Sequence, residues 1–418
     1  MLKKILNHSF WLLIGNSIGR LSMFLTNIIA ARLLPQEVFG QFMMVRSTIS
    51  SVEGILSGAL GSPIIKRVSE IAHEDREKLN TIVSALFTTN LIIAVILGSL
   101  LYLFSSPLVE HFFIGEGLMV QGIEIGALLL IATTLSNSMQ SILTGFEEFK
   151  KLAFSGIMAS IVSFPIIVGL IYYFGFMGAV WGVVFYFISD FVCKYLQARK
   201  LISLSWKNGL SSISEESKTL LKFSTPLFLS VIVTSLSFWY ARVLVVEFAG
   251  SFKEIAIFDA AYQWLTIIMI ITGATTSVAL PMLSKAFGKN DTSELSQVFW
   301  INIGINLGIS VVMATLFSIF AKQIMSLYGD SYIVGSDILI YLGIVSVVFT
   351  LSSLLNKYIL VHNKPWIVFY ASIAGAVALF AILSFNLAHI GIALAGSFIA
   401  FYVVNSVIYL AFIGSFRS

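Results

Sequence analysis

Charge is what this sequence has least of. Only 11% of its 418 residues are Asp, Glu, Lys or Arg, while 58% are hydrophobic and 13% aromatic. A soluble domain carries about 25% charged residues, and a soluble chain of this length would need two or three domain surfaces covered with them. Soluble, disordered and fibrous classes are therefore excluded, and the mean hydropathy of +0.94 belongs to a polytopic membrane protein. Cysteine is almost missing: the lone Cys193 rules out a disulfide framework and any CxxC metal or redox site. It reads as a small buried hydrophobe. The net charge of +4 is too small and too scattered for nucleic-acid binding. No stretch alternates with period two for long enough to suggest a membrane barrel, and no P-loop occurs.

What is present is a succession of long apolar runs. The first contains Arg20, continues past residue 30 and has no A-x-A-like cleavage site, so it reads as a membrane span, not a removed signal. A spanning helix needs roughly 20 mostly apolar residues. On that rule spans fall near 9–33, 39–65, 81–104, 119–144, 152–174 and 177–198, then near 219–247, 255–282, 298–320, 335–361, 366–386 and 390–413. Twelve helices with both termini cytoplasmic put eighteen of the 25 lysines and arginines on the inner side, Lys194 among them. Only Arg32, Lys253 and Lys322 lie outside, and Arg20, Arg46, Arg242 and Lys357 fall within spans. That asymmetry satisfies the positive-inside rule, and a missed helix would scramble it.

The two halves echo each other at offsets of about 213–218 residues. Phe39-Gly40-Gln41-Phe42 and Pro63 recur as Ile255-Ala256-Ile257-Phe258 and Pro281, and Gly178-Ala179 recurs near Gly391. Six spans per half make parallel repeats about an axis along the membrane normal, an arrangement of alternating-access transporters. The expected architecture is all-α: a six-helix lobe over 1–200, a cytoplasmic linker over 201–218 long enough for a short amphipathic helix, and a second six-helix lobe over 219–418.

A charge at the bilayer centre costs about 2.5–3.5 kcal/mol even on the lenient insertion scale, so each buried one needs a reason. They fall on helical-spaced polar stripes: Asn16, Arg20 and Asn27; Arg46, Ser50 and Glu53; Thr133, Asn137, Gln140 and Thr144; Asp259, Gln263, Thr266, Gly273 and Ser277; Asn302, Asn306 and Ser310; Ser346, Thr350, Ser353 and Lys357. Two explanations stand side by side. The charges can pair between helices, Arg46 with Glu53 or Arg242 with Asp259, and Lys357 can snorkel to an interface. Alternatively they line a polar cavity, where the planar fork of an arginine suits a phosphate or diphosphate. On the second explanation Arg20, Arg46, Arg242, Asn16, Asn137, Gln140, Gln263 and Lys357 contact substrate, while Glu53, Asp190 and Asp259 pair with the cations or carry coupling ions. Trp239 and Tyr262 could stack on sugar rings, although aromatic residues near span ends also anchor helices at the interface. No catalytic group, metal ligand or cofactor is expected.

Several segments resemble a known family. They are Leu33-Leu34-Pro35-Gln36-Glu37-Val38-Phe39-Gly40, Leu143-Thr144-Gly145-Phe146-Glu147-Glu148-Phe149-Lys150-Lys151, Leu221-Lys222-Phe223-Ser224-Thr225-Pro226-Leu227 and Leu280-Pro281-Met282-Leu283-Ser284. With twelve spans they are similar to Wzx-type flippases, in the polysaccharide-exporter branch of the multidrug/oligosaccharidyl-lipid/polysaccharide (MOP) superfamily, whose multidrug branch is MATE. The resemblance implies two six-helix lobes meeting in a V around a cavity. It implies transfer of undecaprenyl-diphosphate-linked oligosaccharide units across the bacterial inner membrane for O-antigen (lipopolysaccharide) or capsule assembly. It further implies a proton or sodium gradient in place of ATP, with a polysaccharide polymerase and a chain-length regulator as neighbours. A multidrug exporter of the same superfamily would favour an acidic first helix, where this chain has Arg20. A major-facilitator transporter would carry a G-x-x-x-D-R-x-G-R-R-like loop, where this chain has Lys66-Arg67-Val68-Ser69. A polysaccharide polymerase or glycosyltransferase would need a large outer loop. The longest here are 105–118 and 321–334, with Glu110, His111, Glu116 and Asp330.

Overall fold

The computed structural model describes residue 19 and residues 21–71, 76–113, 117–204, 213–288, 292–385 and 390–415. Every regular element among them is helical. In chain order these are α1 (Leu21–Leu33), α2 (Gln36–Ile71), α3 (Arg76–Leu103), α4 (Ser105–Phe112), α5 (Gly117–Gly145), α6 (Phe149–Ala198) and α7 (Ile213–Ala249). There follow α8 (Lys253–Gly288), α9 (Thr292–Ile319), α10 (Ala321–Ser326), a 3-10 turn (Asp330–Gly335), α11 (Ser336–Val361), α12 (Pro365–Phe385) and α13 (Ile390–Ser415). Nine helices in the described residues are long and apolar enough to cross a membrane. The chain forms two compact units, Met1–Val231 and Ile232–Ser418. Part of the segment expected to link two lobes, 205–212, lies outside the described residues, and its last residues, from Ile213, already belong to α7.

The 50-residue α6 holds two expected spans, 152–174 and 177–198. It is broken at Gly175, with φ 55° and ψ −125°. Those angles are the first central position of a type II′ turn, where a side chain is strained and glycine is not. The two legs then run back against each other. A Cβ on Gly178 would stand 1.8 Å from the Leu170 carbonyl oxygen. At the other end of the hairpin the Ser155 hydroxyl donates to the Cys193 carbonyl at 3.2 Å.

The internal repeat is sharper in the helices than in the residues. Helices α2 and α8 are both 36 residues long, and each boundary is displaced by 217 positions. Helices α3 and α9 are both 28 residues long, each boundary displaced by 216. The short helices α4 and α10 follow at the same offset, preceded by Phe104 (φ −97°, ψ 11°) and Phe320 (φ −99°, ψ 18°) in nearly one conformation. Packing repeats too: α2, α3 and α5 pack on one another and α5 on α6, as α8, α9 and α11 pack on one another and α11 on α13. A buried cluster of Ile64, Val68, Leu79, Val83, Phe87, Met139, Ile142, Leu143, Leu152 and Ala198 ties α2, α3, α5 and α6 together.

Candidate functional site

Serine and threonine account for much of the polar striping, and many of them are satisfied by their own helix. Thr133 donates to the Leu130 carbonyl at 3.0 Å, Thr266 to Gln263 at 2.6 Å and Ser346 to Gly343 at 2.6 Å. Such back-bonding removes the cost of a hydroxyl in hydrocarbon. Ser310 joins α9 to α11, sharing a hydrogen bond with the Thr350 hydroxyl at 2.8 Å and donating to the Ser346 carbonyl at 3.3 Å. Asn306, fully buried, donates to the backbone and side-chain oxygens of Asn302, each at 2.9 Å. These bonds satisfy polar groups within their own helix or seal one helix to the next.

In the first unit, α2, α5 and the second leg of α6 are bridged by two neighbouring polar clusters. The half-buried Arg46 on α2 donates through Nη1 to Asn27 Oδ1 on α1 at 2.9 Å. Two turns on, Glu53 Oε1 accepts from Asn137 Nδ2 on α5 at 3.1 Å, with Arg46 within electrostatic reach. Asn137's neighbour Ser136 turns to α6, where its hydroxyl donates to Asp190 Oδ2. The Lys194 ammonium donates to the same Oδ2 at 2.6 Å, to Ser136 Oγ at 3.0 Å and to Gln140 Oε1 at 3.0 Å. Asp190 and Lys194 are 4% and 5% exposed. Lys194, counted by sequence among the cytoplasmic cations, is buried one turn before the end of α6, where a carboxylate one turn back neutralises it. Arg20 and Asn16 lie outside the described residues.

In the second unit, Arg242 on α7 faces Asp259 on α8, with Nη2–Oδ1 at 3.2 Å and Nε–Oδ1 at 3.4 Å. Its guanidinium also lies 5.0 Å from the Tyr262 ring centre, 5.6 Å from Phe258 and 5.8 Å from Phe398. Tyr262 therefore packs on that cation and on Phe398. Gln263, one residue on, has both amide heteroatoms buried with no hydrogen-bond partner among the described residues. Lys357, one turn before the end of α11, is half-buried and makes no hydrogen bond or ion pair among the described residues. Ser277's side chain lies outside the described set.

Sequence reasoning missed Ser136 and the partnership of Asp190 with Lys194. The i, i+4 spacing of an acid and a base within Ser189-Asp190-Phe191-Val192-Cys193-Lys194 was the available signal. Among the described residues no group of His, Cys, Asp and Glu is placed to hold a metal.

Among the described residues the chain is all-helical and multi-pass, with cations held inside its helices. Its fold is similar to a multidrug resistance MATE family transporter of the MOP superfamily solved in an inward-facing conformation, with TM-score 0.74 at 16% identity over 97% of this chain and 99% of that one. The chain belongs to the polysaccharide biosynthesis protein family, whose model matches residues 5–287. It is 23% identical over 362 residues to the EPS I polysaccharide export inner membrane protein EpsE of Ralstonia nicotianae, covering 83% of this chain and 79% of that protein. It is 24% identical over 242 residues to the probable low-salt glycan biosynthesis flippase Agl15 of Haloferax volcanii, covering 53% of this chain. There it spans about half the length of that relative, 49%. The family model thus shows the family, and the structural likeness shows a fold shared with a transporter of the MOP superfamily.

Proposed function

We propose that this protein is a twelve-span flippase of the bacterial inner membrane, with both termini cytoplasmic. It carries undecaprenyl-diphosphate-linked oligosaccharide units from the cytoplasmic to the outer leaflet by alternating access, coupled to an ion gradient, for O-antigen or capsule assembly. Polysaccharide polymerase and chain-length regulator act downstream. The family match and the two glycan-related relatives support the substrate class.

The observation that carries the reading is Lys357. Four cations have described side chains in the interior of the long helices: Arg46, Lys194, Arg242 and Lys357. Three of them are engaged by Asn27, Asp190 and Asp259. Lys357 is the one with its donors unspent among the described residues. It sits one turn from the end of α11, which on the proposed topology is cytoplasmic, at the depth where a lipid diphosphate enters. A compact ammonium binds phosphate as a point charge. Gln263, whose buried amide has no partner among the described residues, then serves a sugar hydroxyl, since a buried unmet amide costs about 1–3 kcal/mol. Arg20, Arg46, Asn16, Asn137 and Gln140 contribute further polar contacts, and Arg242 acts chiefly through its pair with Asp259.

The test is surface polysaccharide in a flippase-deleted host that makes the matching lipid-linked unit. Wild-type protein restores it, Lys357→Arg retains most of it, and Lys357→Gln loses it at equal membrane abundance. Full export with Lys357→Gln would refute the role of the lysine. No export with wild type in any matched host, together with efflux of cationic drugs, would favour a multidrug exporter.

A further inference from the structure

The ammonium of Lys194 is held as a bound cation would be. An ammonium has three N–H donors and no acceptor, and all three donors are met. Asp190 Oδ2 lies at 2.6 Å, Ser136 Oγ at 3.0 Å and Gln140 Oε1 at 3.0 Å, contributed by two helices. The Ser136 hydroxyl accepts from the lysine and donates its own proton to Asp190, so every partner in the cluster is used consistently. An acid and a base at i, i+4 on a helix surface need no such company; here a neighbouring helix supplies two more oxygens to a group sealed from water.

The second unit gives an independent comparison. At an offset of 216, Ser136 and Gln140 on α5 correspond to Ser352 and Asn356 on α11. At an offset of 215, which aligns the buried and exposed positions of α6 and α13, Asp190 and Lys194 correspond to Asn405 and Tyr409. The counterpart keeps an oxygen-bearing side chain at each of the three partner positions and has Tyr409 in place of the amine. There the side-chain oxygens of Asn356 and Asn405 are buried with no hydrogen-bond partner among the described residues. Oxygen donors at these positions are thus a property of the repeat, and the built-in cation is particular to the first unit.

We propose that Asp190, Ser136 and Gln140 form a monovalent-cation site, that Lys194 fills it with its own tethered ammonium, and that sodium consequently has no access to it in the native protein. The proposal does not depend on which substrate is carried. It follows from charge balance: the native cluster sums to zero, while removal of the amine leaves one buried carboxylate beside two neutral oxygens. That carboxylate must then recruit an external cation or a proton, or the unit is destabilised.

The experiment uses the full-length protein, purified in detergent, and reads its thermal unfolding midpoint at pH 8 as sodium or potassium chloride replaces choline chloride at constant ionic strength. Wild type is expected to be indifferent to the exchange. Lys194→Met is expected to gain stability with sodium or potassium in a saturable way, as mass action at one site requires. The double variant Asp190→Asn with Lys194→Met is expected to lose that dependence. The proposal is overturned if Lys194→Met ignores both metal cations, or responds only to lower pH, because the carboxyl then takes a proton. It is also overturned if wild type itself gains from sodium and Asp190→Asn abolishes the gain. Recovery of Lys194→Met only in sodium or potassium would be the strongest form of the expected result. Its failure to fold in either salt, with the double variant folding, would show that the site accepts no external cation and would overturn the proposal.

Discussion

The Arg242–Asp259 pair makes an ordered prediction across three variants. Its side chains are each 10% exposed, and the pair joins α7 to α8 inside the second unit. Arg242→Met takes the guanidinium countercharge from the Asp259 carboxylate, at up to about 2.5–3.5 kcal/mol on the insertion scale. For a unit of this size that is a fall in unfolding midpoint of roughly 6–12 °C. Asp259→Asn is milder. The guanidinium keeps the Phe238 carbonyl at 3.4 Å and three aromatic rings, and a cation over a ring contributes about 0.5–2 kcal/mol. A loss of about 1–2 kcal/mol is expected. The double variant leaves no unpaired charge, so it should be more stable than Arg242→Met alone. The double-mutant cycle, read by thermal unfolding in detergent, should therefore show coupling of at least about 1 kcal/mol. Additive losses, or a double variant worse than both singles, would refute a structural ion pair and return Arg242 to the substrate.

Other outcomes follow from single contacts. Gly178→Ala drives a methyl group to 1.8 Å from the Leu170 carbonyl oxygen, and overpacking of this kind costs about 1–3 kcal/mol or more. Gly169→Ala, on the same hairpin with nothing within 4 Å of the added carbon, should be neutral or gain up to about 1 kcal/mol from helix propensity; thermal unfolding of the two separates the effects. Thr350→Val removes one hydroxyl pair between α9 and α11 and should cost only about 0.6 kcal/mol, the average for such bonds in membranes, with transport intact. Asn137→Leu strips the described hydrogen bond from Glu53 and should lower the unfolding midpoint, while Glu53→Gln with Asn137 kept should be tolerated.

The helical architecture and the repeat were legible because hydrocarbon imposes them: apolar runs of membrane length need no tertiary information. Even the break in α6 was visible as the gap between the runs 152–174 and 177–198, although its geometry was not. The partners of the buried charges were harder to read. Arg242 and Asp259 are 17 residues apart, on adjacent helices, and their pairing was one of two explanations the sequence left open. Ser136 was invisible, since a serine in a membrane helix usually back-bonds to its own turn and only the approach of α6 recruits it. The burial of Lys194 was not legible because a lysine near a span end normally snorkels to water. Arg46 found an amide on α1, a contact set by the crossing of two helices and written in no local pattern.

The central claim is tested most directly with purified protein in vesicles containing a fluorescent undecaprenyl-diphosphate oligosaccharide. Accessibility of the sugar to an impermeant lectin reports which leaflet holds it. The account predicts that wild-type protein equilibrates the lipid between leaflets far faster than protein-free vesicles, and that Lys357→Gln does not. Equal rates with and without protein, in vesicles where folding and insertion are verified, would contradict it.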